Sequence, residues 1–299
     1  MRQNGSVMRW MKKPILLFIA VLLLAGKTTQ AQSYSSQRSQ VLLINTLSNA
    51  LMGGFGGLIN RQHHEKWYTA FARNFLKGGA GGLIKYTAKY QSFYLHDPSN
   101  SVYAPLNRLV YFLGHSMVMN AAYDRRAFER FYCNFYGVDL RFDSKAEHKL
   151  QARVSLASLA GLAEYAAMGY QFNIYRTLQY GIFMFDARGL QLLPYDGQTR
   201  FNTVVTRSNV ASEVLPHEWI HTFQLYDLFP LTALYDKKLR PHYENRRWYK
   251  TLSRYMVLDY EALYMPLLYA PQFRRPPHYY KNYFEFEAQH FATRNFIAK

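Results

Sequence analysis

The sequence has one cysteine, Cys133, in 299 residues, so no disulfide bond can form within the chain. We therefore expect stability to come from buried apolar side chains, which the 49% hydrophobic composition favours, and from a metal ion or a membrane. Acidic residues are also scarce, with 19 Asp and Glu against 36 Lys and Arg. This excess predicts contact with an anionic membrane or envelope surface. The chain carries no nucleic-acid-binding motif, and we predict no nucleic acid partner.

The first 31 residues have the organisation of a secretory signal peptide. Three basic residues, Arg9, Lys12 and Lys13, precede an apolar run from Pro14 to Ala25, and small and polar residues follow up to Ala31. This layout predicts export, with cleavage after Ala31, to a periplasmic or membrane-associated place in the cell envelope. An uncleaved anchor is the alternative. The segment holds five basic and no acidic residues, so cleavage lowers the formal net charge by five, from +17 to +12.

Residues 32–125 form a glycine-rich region that we expect to be helical. Val41–Asn60 has no charged residue, and glycines recur four apart both there and in the next apolar stretch, as Gly53/Gly57 and Gly78/Gly82. This spacing places the glycines on one helix face, where two backbones can approach closely. It predicts a helical hairpin. The first helix is long enough to span a bilayer, but basic residues interrupt the second, so membrane association and a soluble glycine-packed layer both remain open.

The charged stretch Tyr123–Lys149 marks a boundary, after which residues 126–299 are expected to form a metal-binding domain. GIFMFDARG (181–189) and RFNTVVTRS (200–208) predict strands, and prolines divide the helical residues after Pro230. The expected fold class is α+β and mainly helical. It comprises the glycine-rich N-terminal helical hairpin, a small β-sheet, a helix with the H-E-x-x-H motif and C-terminal helices.

The stretch EVLPHEWIHTFQLYD, residues 213–227, contains this motif. In a helix, His217 and His221 lie four residues apart on one face, so both imidazoles can reach one metal ion. Glu218 lies at the edge of that face, where its carboxylate can act as a general base on a water molecule. The helix is expected to have Ser212 as its N-cap and Pro216 in its first turn. The alternative is two core histidines beside a surface glutamate.

A catalytic zinc ion usually has three protein ligands, so the motif needs a further residue. Asp227 lies six residues after His221, but Gln224 does not favour the turn that would bring it back. A continuing helix rotates Asp227 away from the histidines. The sequence therefore argues against Asp227 as the third ligand.

The stretch YYKNYFEFEAQHFATRNF offers two other carboxylates, Glu285 and Glu287. Small and polar residues share the helical face of Glu285, which permits close packing on the histidine helix. Glu287 instead has His290 and Arg294 as expected partners. We therefore predict Glu285 as the metal ligand, with Glu287 as the alternative.

An H-E-x-x-H motif followed by a separate glutamate helix resembles the gluzincin class of zinc metallopeptidases. The register Glu285-Phe286-Glu287-Ala288 is similar to the third-ligand helix of the membrane-bound Ste24/HtpX-like peptidases, where the leading glutamate binds zinc. That family has an aspartate after the alanine, whereas this chain has Gln289. The string H-E-x-x-H-x-x-Q is also similar to uncharacterised exported bacterial proteins with glycine-rich N-terminal helices. The resemblance covers about residues 213–292.

The resemblance implies a zinc metallopeptidase of the bacterial cell envelope that acts on a peptide or protein substrate. His217, His221 and Glu285 would hold Zn²⁺, with Glu218 as the general base. Gln224 lies on the histidine face one turn further along, where it either orients His221 or is a plain surface glutamine. The candidates for an oxyanion donor are His242, His278, Tyr279, Tyr280 and Tyr283.

Two other functions remain open from the sequence. One is a non-catalytic structural or interaction protein, embedded in the envelope, whose zinc site is structural or vestigial. The other is a zinc hydrolase that acts on a non-peptide amide of the cell wall. The basic run Arg246–Arg254 is a candidate contact for anionic lipid, although such runs are usually solvated helix faces.

Overall fold

The computed structural model describes residues 34–187, 196–208, 210–259, 262, 264–270 and 282–293, so the predicted signal peptide lies outside the described residues. The helices are α1 (Tyr34–Asn60), α2 (Trp67–Gln91), α3 (Tyr103–Ala122), α4 (Leu156–Ala167), α5 (Ile174–Tyr180), α6 (Ala211–Asp227), α7 (Asp236–Glu244), α8 (Arg247–Tyr255), α9 (Tyr264–Tyr269) and α10 (Tyr283–Ala292). Short 3₁₀ segments lie at Ser92–His96, Pro98–Val102 and Phe229–Leu234. The strands are β1 (Arg130–Phe135), β2 (Val138–Asp143), β3 (Leu150–Ser155), β4 (Gln171–Phe172), β5 (Phe183–Ala187), β6 (Gly197–Arg200), β7 (Thr203–Arg207) and β8 (Met256–Val257). The predicted α+β, mainly helical fold class is confirmed.

Helices α1 and α2 pack side by side as the predicted hairpin, and glycines lie where they touch. A Cβ atom on Gly53 would lie 2.5 Å from the carbonyl oxygen of Asn74, and one on Gly78 would lie 2.4 Å from that of Asn49. Helix α3 approaches α2 in the same way, since a Cβ on Gly81 would lie 2.6 Å from the carbonyl oxygen of Gly114. The three helices therefore pack at backbone contact distance.

Replacement of Gly78 by alanine is expected to lower the free energy of unfolding by about 1–3 kcal/mol, because the new methyl group overlaps the backbone of α1. Gly79 provides a matched control, since a Cβ there would meet Ala50 at an ordinary 3.5 Å. Alanine at that half-buried position favours the helix by about 1 kcal/mol. Urea denaturation measures both variants, and equal unfolding free energies would contradict the close packing.

One helical segment among the described residues, Gln37–Asn60, is long and apolar enough to cross a membrane, judged by length and composition. Of the 18 most apolar consecutive residues in this segment, 44% are buried against the rest of the protein. The basic residues Lys85 and Lys89 of the second apolar stretch are fully buried inside the molecule. Their charges therefore face protein partners rather than the outer surface of the helical layer.

The strands form two four-stranded sheets rather than the single small sheet expected. The first has the order β1-β2-β3-β8 and the second the order β4-β5-β7-β6. The two predicted strands correspond to β5 and β7, which pair in parallel with Phe183 opposite Thr203. Strand β6 is one edge of the second sheet, pairs antiparallel with β7 and contacts α6 through Thr199 and Glu218.

The antiparallel pair β1–β2 lies inside the charged stretch that was expected to be only a boundary. Tyr136 and Gly137 turn the chain between these strands with φ angles of 51° and 69°. Two consecutive positive φ angles are typical of the tight turns that join hairpin strands. The many charged residues of this stretch concealed the strand alternation in the sequence.

A shared core joins the two regions that the sequence divides at residues 125 and 126. One apolar cluster includes Tyr111 of α3, Trp219 of α6 and Phe286 of α10. The buried guanidinium of Arg108 donates to the carbonyl oxygen of Asn134 at 2.8 Å. The division stays a prediction, but side chains from both regions surround the H-E-x-x-H helix.

Candidate metal centre

Helix α6 carries the H-E-x-x-H motif and is buried on most sides, with Trp219, Ile220 and Phe223 fully inaccessible. The expectation that Ser212 caps this helix is wrong. The helix begins at Ala211 after Val210, which makes no side-chain capping bond, so Ser212 lies within the first turn.

Pro216 lies inside α6 rather than in its first turn as expected. Because proline has no N–H, it leaves the carbonyl oxygen of Ser212 without its helical donor. The Nδ1 atom of His96 lies 3.1 Å from that oxygen, and the Nε2 atom lies 2.7 Å from the carbonyl oxygen of Ala292. The ring of His96 thus links the start of α6 to the end of α10.

The structure brings His217, His221 and Glu285 together. The Nε2 atoms of His217 and His221 lie 3.1 Å apart. The Oε2 atom of Glu285 lies 3.1 Å from the Nε2 atom of His217 and 3.5 Å from the Nε2 atom of His221. One metal ion with bonds of about 2.0–2.1 Å at tetrahedral angles places its ligand atoms about 3.3 Å apart. The three atoms therefore have the separations of a tetrahedral ligand set and could hold a metal ion.

The outer nitrogens of both histidines face glutamine side chains. His221 Nδ1 lies 2.8 Å from Gln224 Oε1, and His217 Nδ1 lies 3.1 Å from Gln289 Oε1. The orientation of Gln224 is fixed because its amide nitrogen donates to the carbonyl oxygen of Phe284 and to Glu287. The Nδ1 atom of His221 therefore donates to Gln224, and its Nε2 atom faces the cluster.

A carboxylate and two nitrogen lone pairs that converge in this way repel one another unless a cation lies between them. Burial alone would lower the pKa of His221, but Glu285 outweighs it and raises that pKa to about 9. Burial would likewise raise the pKa of Glu285, but the two imidazoles hold it well below its usual range. The cluster is built for positive charge, which a proton or a metal ion can supply.

Glu218 lies beneath the edge strand of the second sheet and is buried, with 5% of its surface exposed. The Thr199 hydroxyl of β6 donates to its Oε2 atom at 2.7 Å. A Cβ atom on Gly197 would lie 3.0 Å from its Oε1 atom, so glycine leaves space for the carboxylate. Glu218 precedes His221 by three residues on α6, and its negative charge contributes to the raised pKa of His221.

The two glutamates of α10 contact different parts of the protein. Glu285 faces the histidines, and its other oxygen accepts a hydrogen bond from the Tyr269 hydroxyl at 2.6 Å. Glu287 points to the opposite side, where it binds Lys89 at 2.8 Å and Asn45 at 2.6 Å. The sequence did not predict Lys89 and Asn45 as partners of Glu287 because they come from distant helices. The predicted partner Arg294 lies outside the described residues.

Asp227 lies away from the histidines, as the sequence indicates. Its two carboxylate oxygens each pair with a buried lysine at 2.6 Å, Lys85 and Lys89, and Tyr111 donates to it at 2.7 Å. Together with Glu287, these groups form a buried ion cluster of two lysines and two carboxylates. Gln224 links this cluster to His221.

Of the predicted oxyanion donors, two lie in the described part of the chain, His242 and Tyr283, and their contacts do not place them at the metal cluster. Tyr283 contacts Glu287 instead, and His242 is an exposed residue of α7. His278, Tyr279 and Tyr280 lie outside the described residues. Tyr269 and Thr199 contact the site, yet nothing in their local sequence singles them out.

Comparison with the models of known protein families, with curated proteins and with solved structures finds no match. The interpretation of the site therefore depends on its geometry. Two imidazole nitrogens and one carboxylate oxygen form a three-atom cluster that could hold a cation, and the carboxylate of Glu218 belongs to the same helix as both histidines.

Proposed function

We propose that this protein is a zinc-dependent metallopeptidase. The observation that carries the proposal is the ligand triangle of His217, His221 and Glu285, with edges of 3.1, 3.1 and 3.5 Å. Two histidines and one glutamate are a donor set that catalytic zinc sites use, with a fourth position left for water or substrate. The resemblance to gluzincins, which the motif and its separate glutamate helix suggest, supports the same choice of metal.

Zinc bound by these residues would polarise the carbonyl group of a peptide bond and make a nearby water molecule more acidic. The Glu218 carboxylate is the base that accepts a proton from this water and then passes it to the departing amine. Thr199 fixes the orientation of that carboxylate through its hydroxyl group. Gln224 and Gln289 keep the histidines in the tautomer whose Nε2 lone pairs face the cluster.

We further propose that the protein is exported and works in the cell envelope. The basic and apolar pattern of residues 1–31 supports export. The apolar segment Gln37–Asn60 supports a place at or in a membrane.

A structural zinc site is the second candidate function, and the burial of the site favours it. Only 3% of the Glu285 surface and 5% of the Glu218 surface are exposed. A metal ion that joins α6 to α10 would then stabilise the fold without turnover.

Removal of the metal from the purified full-length chain separates these two functions. For a peptidase, we expect a chelator to abolish hydrolysis of a quenched-fluorescence peptide library and added Zn²⁺ to restore it. Hydrolysis that persists in the apoprotein would contradict the proposal. A large fall in melting temperature on chelation, with no hydrolysis by the zinc-bound protein, would instead favour the structural site.

A further inference from the structure

A polar cavity of about 800 Å³ lies at one end of the helical hairpin. Its walls come from the loop between α1 and α2, from α2, from the loop after α3 and from the turn after β2. None of its described lining residues belongs to the metal cluster or hydrogen-bonds to it. Any role for this cavity is therefore separate from the chemistry at Glu218.

The lining of this cavity has an excess of positive charge. The five cationic side chains are Arg73, Lys77, Arg125, Arg126 and Lys145, and the three acidic ones are Glu65, Asp124 and Glu129. All three carboxylates are already paired, two with Arg73 and one with Lys145. Among the described residues, Lys77, Arg125 and Arg126 have no ion pair with a carboxylate.

Two of these three cations are held in place by other contacts. Lys77 donates to the carbonyl oxygen of Arg125 at 2.6 Å, which leaves two of its three N–H groups for a ligand. The Arg125 guanidinium lies 4.6 Å from the ring centroid of Tyr123 and donates to the Tyr132 hydroxyl at 3.1 Å. The cavity thus has ordered donors for an anion.

The direction in which the pKa of Lys77 is shifted agrees with this excess of positive charge. Burial lowers the pKa of Lys77, and the neighbouring positive charge of Arg73 lowers it further. The carboxylates of Asp124, Glu65 and Glu129 oppose this effect without reversing it. A bound anion would stabilise the charged form of Lys77.

Four large apolar side chains that are close in sequence to the lining residues are exposed. Trp67 and Tyr68 follow the lining loop and are 61% and 51% exposed, while Leu76 lies between Arg73 and Lys77 and is 71% exposed. Phe128 lies between lining residues 127 and 129 and is 61% exposed. Tryptophan and tyrosine prefer the interface between lipid and water, where the ring is buried and its polar edge stays wet.

We propose that this cavity binds the phosphate of an anionic phospholipid headgroup, with Trp67, Tyr68, Leu76 and Phe128 inserted in the surrounding bilayer interface. A phosphate oxygen can accept hydrogen bonds from Lys77, Arg125 and Arg126 together. A free phosphate ion would satisfy the same donors but would leave the four apolar side chains in water. The lipid accounts for both the charge and the apolar rim.

Vesicle co-sedimentation of the full-length chain tests this proposal. The vesicles contain phosphatidylcholine alone or equal parts of phosphatidylcholine and phosphatidylglycerol. The double variant Lys77→Gln/Arg126→Gln is expected to bind the anionic vesicles roughly thirtyfold more weakly, since each basic residue near an anionic surface contributes about fivefold. The single variant Arg126→Gln, at an exposed position, is expected to lose roughly fivefold without risk to the fold.

The variant Arg246→Gln/Arg247→Gln is the matched control, because it removes the same charge from the exposed basic run. We expect its vesicle binding to change by less than about threefold. Because every variant retains residues 1–31, binding through that apolar segment is the same in all of them. Equal losses in the two double variants, or no preference for phosphatidylglycerol, would overturn the proposal.

Titration calorimetry with inorganic phosphate separates the two sources of the ligand. If phosphate binds the wild-type chain but Lys77→Gln/Arg126→Gln binds vesicles as wild type does, the cavity is a site for the free ion and the lipid proposal fails. Vesicle binding that falls in Trp67→Ala/Phe128→Ala, with the preference for phosphatidylglycerol kept, would support the lipid. The variant Glu218→Gln, which removes the proposed general base, should bind vesicles as wild type does.

Discussion

Replacement of Glu218 by glutamine is expected to lower the rate of peptide hydrolysis by about 10²–10⁴-fold, the usual contribution of a general base. Glutamine has the same shape as glutamate. The Thr199 hydroxyl, which lies 2.7 Å from Glu218 Oε2, can still donate to the amide oxygen of the glutamine. However, an amide cannot accept the proton of the attacking water. The measurement is kcat/KM with one quenched peptide substrate, together with zinc content per chain.

The metal ligands are unchanged in this variant, so its zinc content should equal that of the wild type. Glu213→Gln on the same helix is the control, because Glu213 is exposed and should be dispensable for hydrolysis. A Glu218→Gln protein that hydrolyses peptides at the wild-type rate would exclude Glu218 as the base.

Replacement of Asp227 by asparagine is expected to lower the free energy of unfolding by about 3–5 kcal/mol. Asp227 pairs with Lys85 and Lys89 at 2.6 Å, and both lysines are fully buried. Without this carboxylate, one buried lysine keeps Glu287 as a partner and the other loses its counterion. Urea denaturation measures the loss, and Asp196→Asn is the matched control because its pair with Arg207 at 3.3 Å is exposed.

The control is expected to change stability by less than about 1 kcal/mol. Equal losses in Asp227→Asn and Asp196→Asn would contradict the importance of the buried cluster.

The pH dependence of stability provides a second check. Burial would raise the pKa of Asp227, but Lys85 and Lys89 outweigh it and lower the pKa below the unfolded value of about 3.9. Its stabilisation is therefore complete above that value and is lost as the pH falls through the folded pKa, a loss that Asp227→Asn should not show.

The sequence predicted the local part of the candidate site well. The i, i+4 spacing of His217 and His221 determines that they share a helix face. The same reasoning about helix faces selected Glu285, because its neighbours are small enough for α10 to pack against α6. The rejection of Asp227 followed from the absence of a glycine turn. Each of these inferences depends on residues within one helix.

The parts that the sequence did not predict depend on contacts between distant segments. Lys89 and Glu287 are 198 residues apart, and Lys89 and Asp227 are 138 apart, so no local pattern indicates their buried cluster. Thr199 reaches Glu218 only because β6 forms the sheet edge above α6. The expected N-cap at Ser212 is wrong because the helix begins one residue before it, at Ala211.

Zinc binding by the wild-type chain and by Glu285→Ala tests the central claim most directly. The 3.1 and 3.5 Å distances from Glu285 to the two histidines predict one zinc ion per wild-type chain. They also predict that the zinc affinity of the variant falls by more than about 100-fold. Loss of a residue that only hydrogen-bonds to a metal ligand already lowers metal affinity by about 10–100-fold. Competition titration against a chromogenic chelator measures both quantities. A wild-type chain that binds no stoichiometric zinc, or a Glu285→Ala variant that binds it as tightly, would contradict a metal centre formed by His217, His221 and Glu285.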